Sequence, residues 1–174
     1  LFYVCYPHNP TGAVAPIEFY ERAVEFCRDH EILLVNDMAY ATVTYDGYRN
    51  ATALQVKGAI DWTIEFHSLS KMFNMTGWRL GYMACPNIDL IKACDKIQGQ
   101  FTSATCSITQ RAAIEALTGD MRPTQFMIEA FRKRRERVME LARLIPGIIC
   151  NEPPGAFYIF PDVSAYFGKK TPQG

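Results

Sequence analysis

The sequence predicts an α/β domain built on a central, largely parallel sheet, followed by helix-rich chain that begins a second, smaller unit. Short apolar runs at residues 1–6, 32–35, 62–67 and 80–85 recur behind turn or helical segments, the texture that lays strands side by side in parallel. After Pro86 the strand signals vanish and long stretches of helical periodicity replace them. The 174 residues are 49% hydrophobic and 21% charged, which excludes a disordered segment, a collagen-like fibre and a disulfide miniprotein.

Residues 1–6 are apolar and aromatic, and they end in Pro7-His8-Asn9-Pro10-Thr11-Gly12, where prolines and a glycine forbid regular structure. A strand therefore feeds a turn. Pro16 is suited to open a helix, in which Phe19, Tyr20, Ala23, Val24, Phe26 and Cys27 recur at helical spacing before the polar Arg28-Asp29-His30. Residues 32–35 form a continuous apolar run, as a strand covered on both faces requires. Helices are expected at 88–98, 107–117 and about 124–144, and strands at 148–150 and 156–160 around Pro153-Pro154-Gly155. In the last helix Phe126, Phe131, Val138 and Leu141 share a face. Arg132, Lys133, Arg134, Arg135 and Arg137 lie opposite, interleaved with Glu129, Glu136 and Glu140, and read as a solvated surface.

Eighteen basic and eighteen acidic residues leave a net charge of zero, without the cationic field of a protein that binds nucleic acid or an anionic membrane. No apolar run approaches the ~20 residues of a membrane span. The six cysteines, Cys5, Cys27, Cys85, Cys94, Cys106 and Cys150, form no CxxC pair or zinc-spaced cluster, so no metal site is expected and a reducing, cytoplasmic setting fits.

The chemistry is concentrated in Ser68-Leu69-Ser70-Lys71-Met72-Phe73-Asn74-Met75-Thr76-Gly77-Trp78-Arg79-Leu80-Gly81-Tyr82, at a strand end. A lysine beside a buried strand end is costly if charged and unpaired, so it snorkels or is chemically employed. Hydroxyls at Ser68 and Ser70, with Arg79 eight positions after the lysine, are the parts of a phosphate cradle. Asp37 and Tyr40 follow the second strand, where ligands of parallel sheets sit, although a lone aspartate also serves as a helix cap. Asn9-Pro10-Thr11-Gly12 alone is a common four-residue turn.

Together these clusters, in this order and spacing, resemble the class I and II aminotransferases, pyridoxal-phosphate enzymes of fold type I. The resemblance implies a three-layer α/β/α large domain, here residues 1–120, and a long helix with the start of a small α+β domain over 121–174. It implies pyridoxal 5'-phosphate as cofactor. Lys71 then forms the Schiff base with its aldehyde, Asp37 pairs with the pyridine nitrogen, Tyr40 and Asn9 hydrogen-bond the phenolic oxygen, and Ser68 and Arg79 hold the phosphate with help from Ser70. An anion at Asp37 keeps the ring nitrogen protonated, so that the ring can accept the charge left when an α-proton departs. Lys71, once released, carries that proton.

The segment from Phe19 to Tyr82 is similar both to bacterial aspartate aminotransferases and to LL-diaminopimelate aminotransferase-like proteins. Lys96-Ile97-Gln98-Gly99-Gln100, Ser107-Ile108-Thr109-Gln110 and Pro154-Gly155-Ala156-Phe157-Tyr158 tilt the reading toward aspartate, with other fold type I enzymes and a non-catalytic relative as alternatives. The substrates implied are an amino acid and a 2-oxo acid, and the assembly a homodimer. The family's N-terminal phosphate turn and ring-stacking aromatic have no counterpart before Leu1, and its substrate-carboxylate arginine is expected beyond Gly174. The chain is thus expected to be a piece, cut at both ends, with little activity alone.

Overall fold

A computed structural model describes residues 1–171, so the last three positions of the expected second unit lie outside the described residues. β1 (Phe2–Cys5), β2 (Leu34–Asp37), β3 (Thr63–Ser68) and β4 (Gly81–Ala84) form one sheet in chain order. β1 pairs with β2 and β2 with β3 in parallel, while β4 runs antiparallel to β3. The sheet is therefore mixed. The reversal is local: the Leu69 amide donates to the Leu80 carbonyl at 3.2 Å, so the chain returns beside itself without crossing the sheet. Gly81 makes that return possible, since a Cβ there would stand 2.6 Å from the His67 carbonyl oxygen.

Helix α1 (Ile17–Asp29) joins β1 to β2 and covers one face of the sheet. Tyr20, Ala23, Val24 and Cys27 project from it at helical spacing onto Val4 and Leu34, and all are buried. Its C-terminus closes as a Schellman turn: the Ile32 amide donates to Cys27 at 2.8 Å and the Glu31 amide to Arg28 at 3.3 Å. Glu31 fills the left-handed position usually given to glycine, with φ of 52°. The β2–β3 connection, residues 38–62, carries two 3₁₀ turns at Ala53–Gln55 and Ala59–Asp61 in place of an α-helix. Ala53 and Ala59 are fully buried in the same core.

α2 (Leu69–Met72) is a single turn at the end of β3, and α3 (Ile88–Phe101) lies over the other face of the sheet. A cavity of 550 Å³ lies between α3 and the sheet, with Val35 and Ile64 from the sheet facing Leu90 and Cys94. α1 and α3 on opposite faces make the three layers that the family resemblance implied. α3 begins at an Asn87 cap, whose side chain accepts from the Asp89 and Leu90 amides. Ala113 of α4 (Ser107–Thr118) packs against Leu69 and Met75, fixing the lysine-bearing turn from below.

α5 (Arg122–Arg143) corrects the expected face assignment. Thr124, Arg135, Met139 and Ala142 are its buried residues, whereas Phe126 is 81% exposed. Arg135 is drawn inward because its guanidinium donates to Asp46 at 2.6 Å and to the Pro153 carbonyl at 3.2 Å, and lies 4.6 Å from the centre of the Tyr45 ring. The strands expected at 148–150 and 156–160 are not formed; isolated bridges, Ile149 to Asp162 and Thr44 to Gly155, stand in their place. Ala156 has φ of 56°, and Pro153 and Pro154 offer no backbone donor, so no ladder propagates.

Candidate active site

Parallel strands deliver their C-terminal ends to one edge of the sheet, and the singled-out residues follow from that edge. Asp37 is the last residue of β2, in register with Cys5 of β1 and Phe66 of β3. Its carboxylate is exposed and accepts from the Ala39 amide at 3.0 Å. The Cys5 thiol is pushed up, first by burial and then by the Asp37 charge. Asp37 and Ser68 line the 550 Å³ cavity together.

Tyr40 lies one turn beyond Asp37 and is only 5% exposed. Asn9 donates its amide to the Tyr40 hydroxyl at 3.5 Å, and the Lys71 amine stands 5.7 Å from the Tyr40 ring centre. Turn, second strand and third strand thus converge on one tyrosine. Burial, and then the Tyr158 hydroxyl, raise the Tyr40 phenol well above its ordinary value, so it remains a hydrogen-bond donor.

Ser70 is buried within α2, and its carbonyl accepts from the Thr76 hydroxyl at 3.2 Å. Arg79 is exposed, in the left-handed region with φ of 53°, and donates to the Thr76 carbonyl at 2.8 Å. It lines a second cavity of 760 Å³, with Thr102, Cys106 and Thr109 from the α3–α4 connection and the start of α4. Asn9, Tyr40 and Lys71 therefore meet directly, Asp37 and Ser68 share a cavity, and Arg79 faces another.

Two groups escaped the sequence reading. The first is Tyr158, whose hydroxyl lies 2.5 Å from that of Tyr40. It arrives there because residues 153–156 are threaded between two earlier segments. The Gly155 amide donates to Gly12 at 3.2 Å, the Ala156 amide to Val43 at 2.8 Å, and the Tyr45 amide to Pro154 at 3.1 Å. Gly12, with φ of +71°, meets this seam so closely that a Cβ would lie 2.4 Å from the Pro153 Cβ. The spacing of 118 positions gave no local signal.

The second is a polar cluster on the α1 face of the sheet. Glu65, 3% exposed, accepts from Asn36 at 3.0 Å and from the His67 ring at 2.8 Å, and also from the Thr52 hydroxyl. Burial alone raises its pKa, but these three donors outweigh it and hold the carboxyl below its ordinary range. The His67 ring stacks on Tyr82 at 4.7 Å, pinning β3 to β4 just before Ser68.

Among the described residues no group of three or more His, Cys, Asp or Glu could hold a metal ion, and no helix is long and apolar enough to cross a membrane. All six cysteines are free.

Known proteins are similar to the chain in sequence and in fold. The LL-diaminopimelate aminotransferase of Desulforudis audaxviator is 40% identical over 165 residues, 95% of this chain and 42% of that protein. A bifunctional aspartate aminotransferase and glutamate/aspartate-prephenate aminotransferase of Petunia hybrida is also 40% identical, over 97% of this chain and 36% of its own length. The crystal structure of the aspartate aminotransferase from Rhizobium meliloti superposes with a TM-score of 0.91 at 36% identity, covering 99% of this chain and 43% of that one. The chain spans roughly two-fifths of the length of these relatives. The family model for aminotransferase class I and II matches residues 1–171. By sequence and fold alike, the chain belongs to the class I and II aminotransferases.

Proposed function

We propose that the protein moves an amino group between an α-amino acid and a 2-oxo acid, using pyridoxal 5'-phosphate held at the C-terminal edge of β1, β2 and β3. The observation that carries this is the convergence of Asn9, Tyr40 and Lys71, with Asp37 and Ser68 on the same edge. The donor set matches the cofactor group by group. An amine suits the aldehyde, a carboxylate the pyridine nitrogen, a phenol and an amide the phenolic oxygen, and hydroxyls with a guanidinium the phosphate. Among the described residues the Lys71 amine stands over the Tyr40 ring and pairs with no carboxylate, which leaves it available to a ligand.

Bound there, the cofactor supplies an electron sink for the charge left on the substrate α-carbon. Asp37 holds the ring nitrogen protonated; Asn9 and Tyr40 fix the phenolic edge; Ser68, Ser70 and Arg79 anchor the phosphate. With the cofactor bound, the Lys71 amine would be the group that carries a proton between the substrate α-carbon and the cofactor's C4′ carbon. Aspartate is the proposed donor, resting on the segments from Lys96 to Gln100 and from Pro154 to Tyr158. LL-diaminopimelate is the second reading, supported by the 40% identity to the enzyme named for it. We further propose a large-domain segment at 1–120 and a second unit from 121, a homodimer, and a cytoplasmic setting consistent with six unpaired cysteines.

The test is chemical. Protein incubated with pyridoxal phosphate and reduced with borohydride is expected to carry the label on the peptide containing Lys71. Lys71→Ala is expected to abolish that label and to lower turnover by roughly 10²–10⁴-fold through loss of the proton carrier. A label on another lysine refutes the assignment. Rates with aspartate and with LL-diaminopimelate as donors separate the two substrate readings.

A further inference from the structure

Tyr40 and Tyr158 bring two hydroxyl hydrogens to one mutual contact, with the oxygens 2.5 Å apart. One hydrogen therefore has no place in that bond. Asn9 donates into the same Tyr40 oxygen, so two groups, Asn9 and Tyr158, meet at the Tyr40 hydroxyl. Tyr40 is almost fully buried, and among the described residues its hydroxyl has no partner besides Asn9 and Tyr158. If Tyr158 donates, the Tyr40 hydrogen is left free to be given to a bound ligand. The rings are held for this purpose: Tyr40 lies edge-on to Tyr158 at 5.6 Å and to Phe157 at 5.3 Å, and the seam at Gly12, Val43 and Tyr45 fixes residues 153–156 just ahead of them.

We propose that Tyr158 is a positioning residue, which donates into the Tyr40 oxygen and so directs and strengthens the hydrogen bond that Tyr40 gives to the phenolic oxygen of bound pyridoxal phosphate. This rests on the function proposed above. The physical basis is cooperativity: an oxygen that accepts two hydrogen bonds becomes a stronger donor through its own hydrogen. A stronger donor at the phenolic oxygen favours the less protonated form of the bound cofactor, so losing Tyr158 is expected to move the cofactor's titration upward in pH.

Two measurements test it. In the cofactor-free protein, thermal unfolding of Tyr40→Phe, Tyr158→Phe and the double variant is expected to be non-additive, because either substitution removes the same contact. Tyr158→Phe keeps the ring and its edge-on packing, so folding is preserved. In protein loaded with pyridoxal phosphate, the pH midpoint of the visible absorbance is expected to rise in Tyr158→Phe by a fraction of the rise in Tyr40→Phe. The double variant is expected to match Tyr40→Phe alone. Additive unfolding effects, or a Tyr158→Phe midpoint that coincides with that of the unaltered protein, overturn the proposal while the Lys71 label leaves the proposed function standing. Absence of that label removes both.

Discussion

Among single residues, Glu65 shows most clearly how one buried charge is kept. Three donors from different parts of the chain face it: Asn36 in β2, Thr52 at the head of a 3₁₀ turn, and His67 two positions along its own strand. An ionised carboxylate has no hydrogen to give, so each partner must supply one. Because its folded pKa lies below the ordinary value, the unfolded chain binds the proton more tightly. The resulting stability is complete above the ordinary glutamate range and is lost as pH falls through the depressed folded value. Glu65→Gln is expected to cost about 2 kcal/mol near neutrality and to flatten the acid side of the stability profile, as read by urea unfolding from pH 7 downward. That Lys71, Asp37 and Tyr40 would gather at one edge of the sheet was legible because the spacing of a chemical motif is itself a sequence signal. Glu65 was not, because periodicity marks it only as one polar residue in an apolar strand and cannot name its cross-strand neighbours.

At the scale of elements, α5 marks where pattern reading reached its limit. An amphipathic plot sorts residues by polarity, and Arg135 sorts with its exposed cationic neighbours. The fold instead gives that side chain an aromatic face, a carboxylate and a carbonyl at once, and leaves it 6% exposed. A planar fork meets all three, which an ammonium cannot. Arg135→Met is expected to cost roughly 1–3 kcal/mol, discounted because Asp46 is largely solvated, and Arg135→Lys to restore less than half of it. Denaturant titration gives the magnitude, and faster hydrogen exchange at the Tyr45 and Ala156 amides would localise the loss to the seam. The strands and α1 were readable because apolar spacing and turn residues agree there. The region after Pro146 was misread because short apolar runs do not disclose whether a partner strand exists.

For the molecule as a whole, the parallel pairing of β1, β2 and β3 brings the candidate residues to one edge of the sheet, and that parallel texture was anticipated from sequence, whereas the strand order was not. The antiparallel return of β4 was not, since only the fold shows that Leu69 and Leu80 meet. Large side chains stand in solvent on several helices, among them Phe101 at 85%, Phe126 at 81% and Ile108 at 72% exposure. With zero net charge there is little repulsion to keep such surfaces apart. Sedimentation equilibrium is therefore expected to return twice the monomer mass, and a monomer at micromolar concentration would refute the proposed dimer.

The long separation between Tyr40 and Tyr158 also has a temporal meaning. A ribosome adding about 5–20 residues per second needs on the order of ten seconds to extend the chain across that interval. Within that interval β3, Lys71 and β4 are made in turn and Tyr158 comes last, so the hydroxyl pair at Tyr40 can close only once this whole stretch has been synthesised.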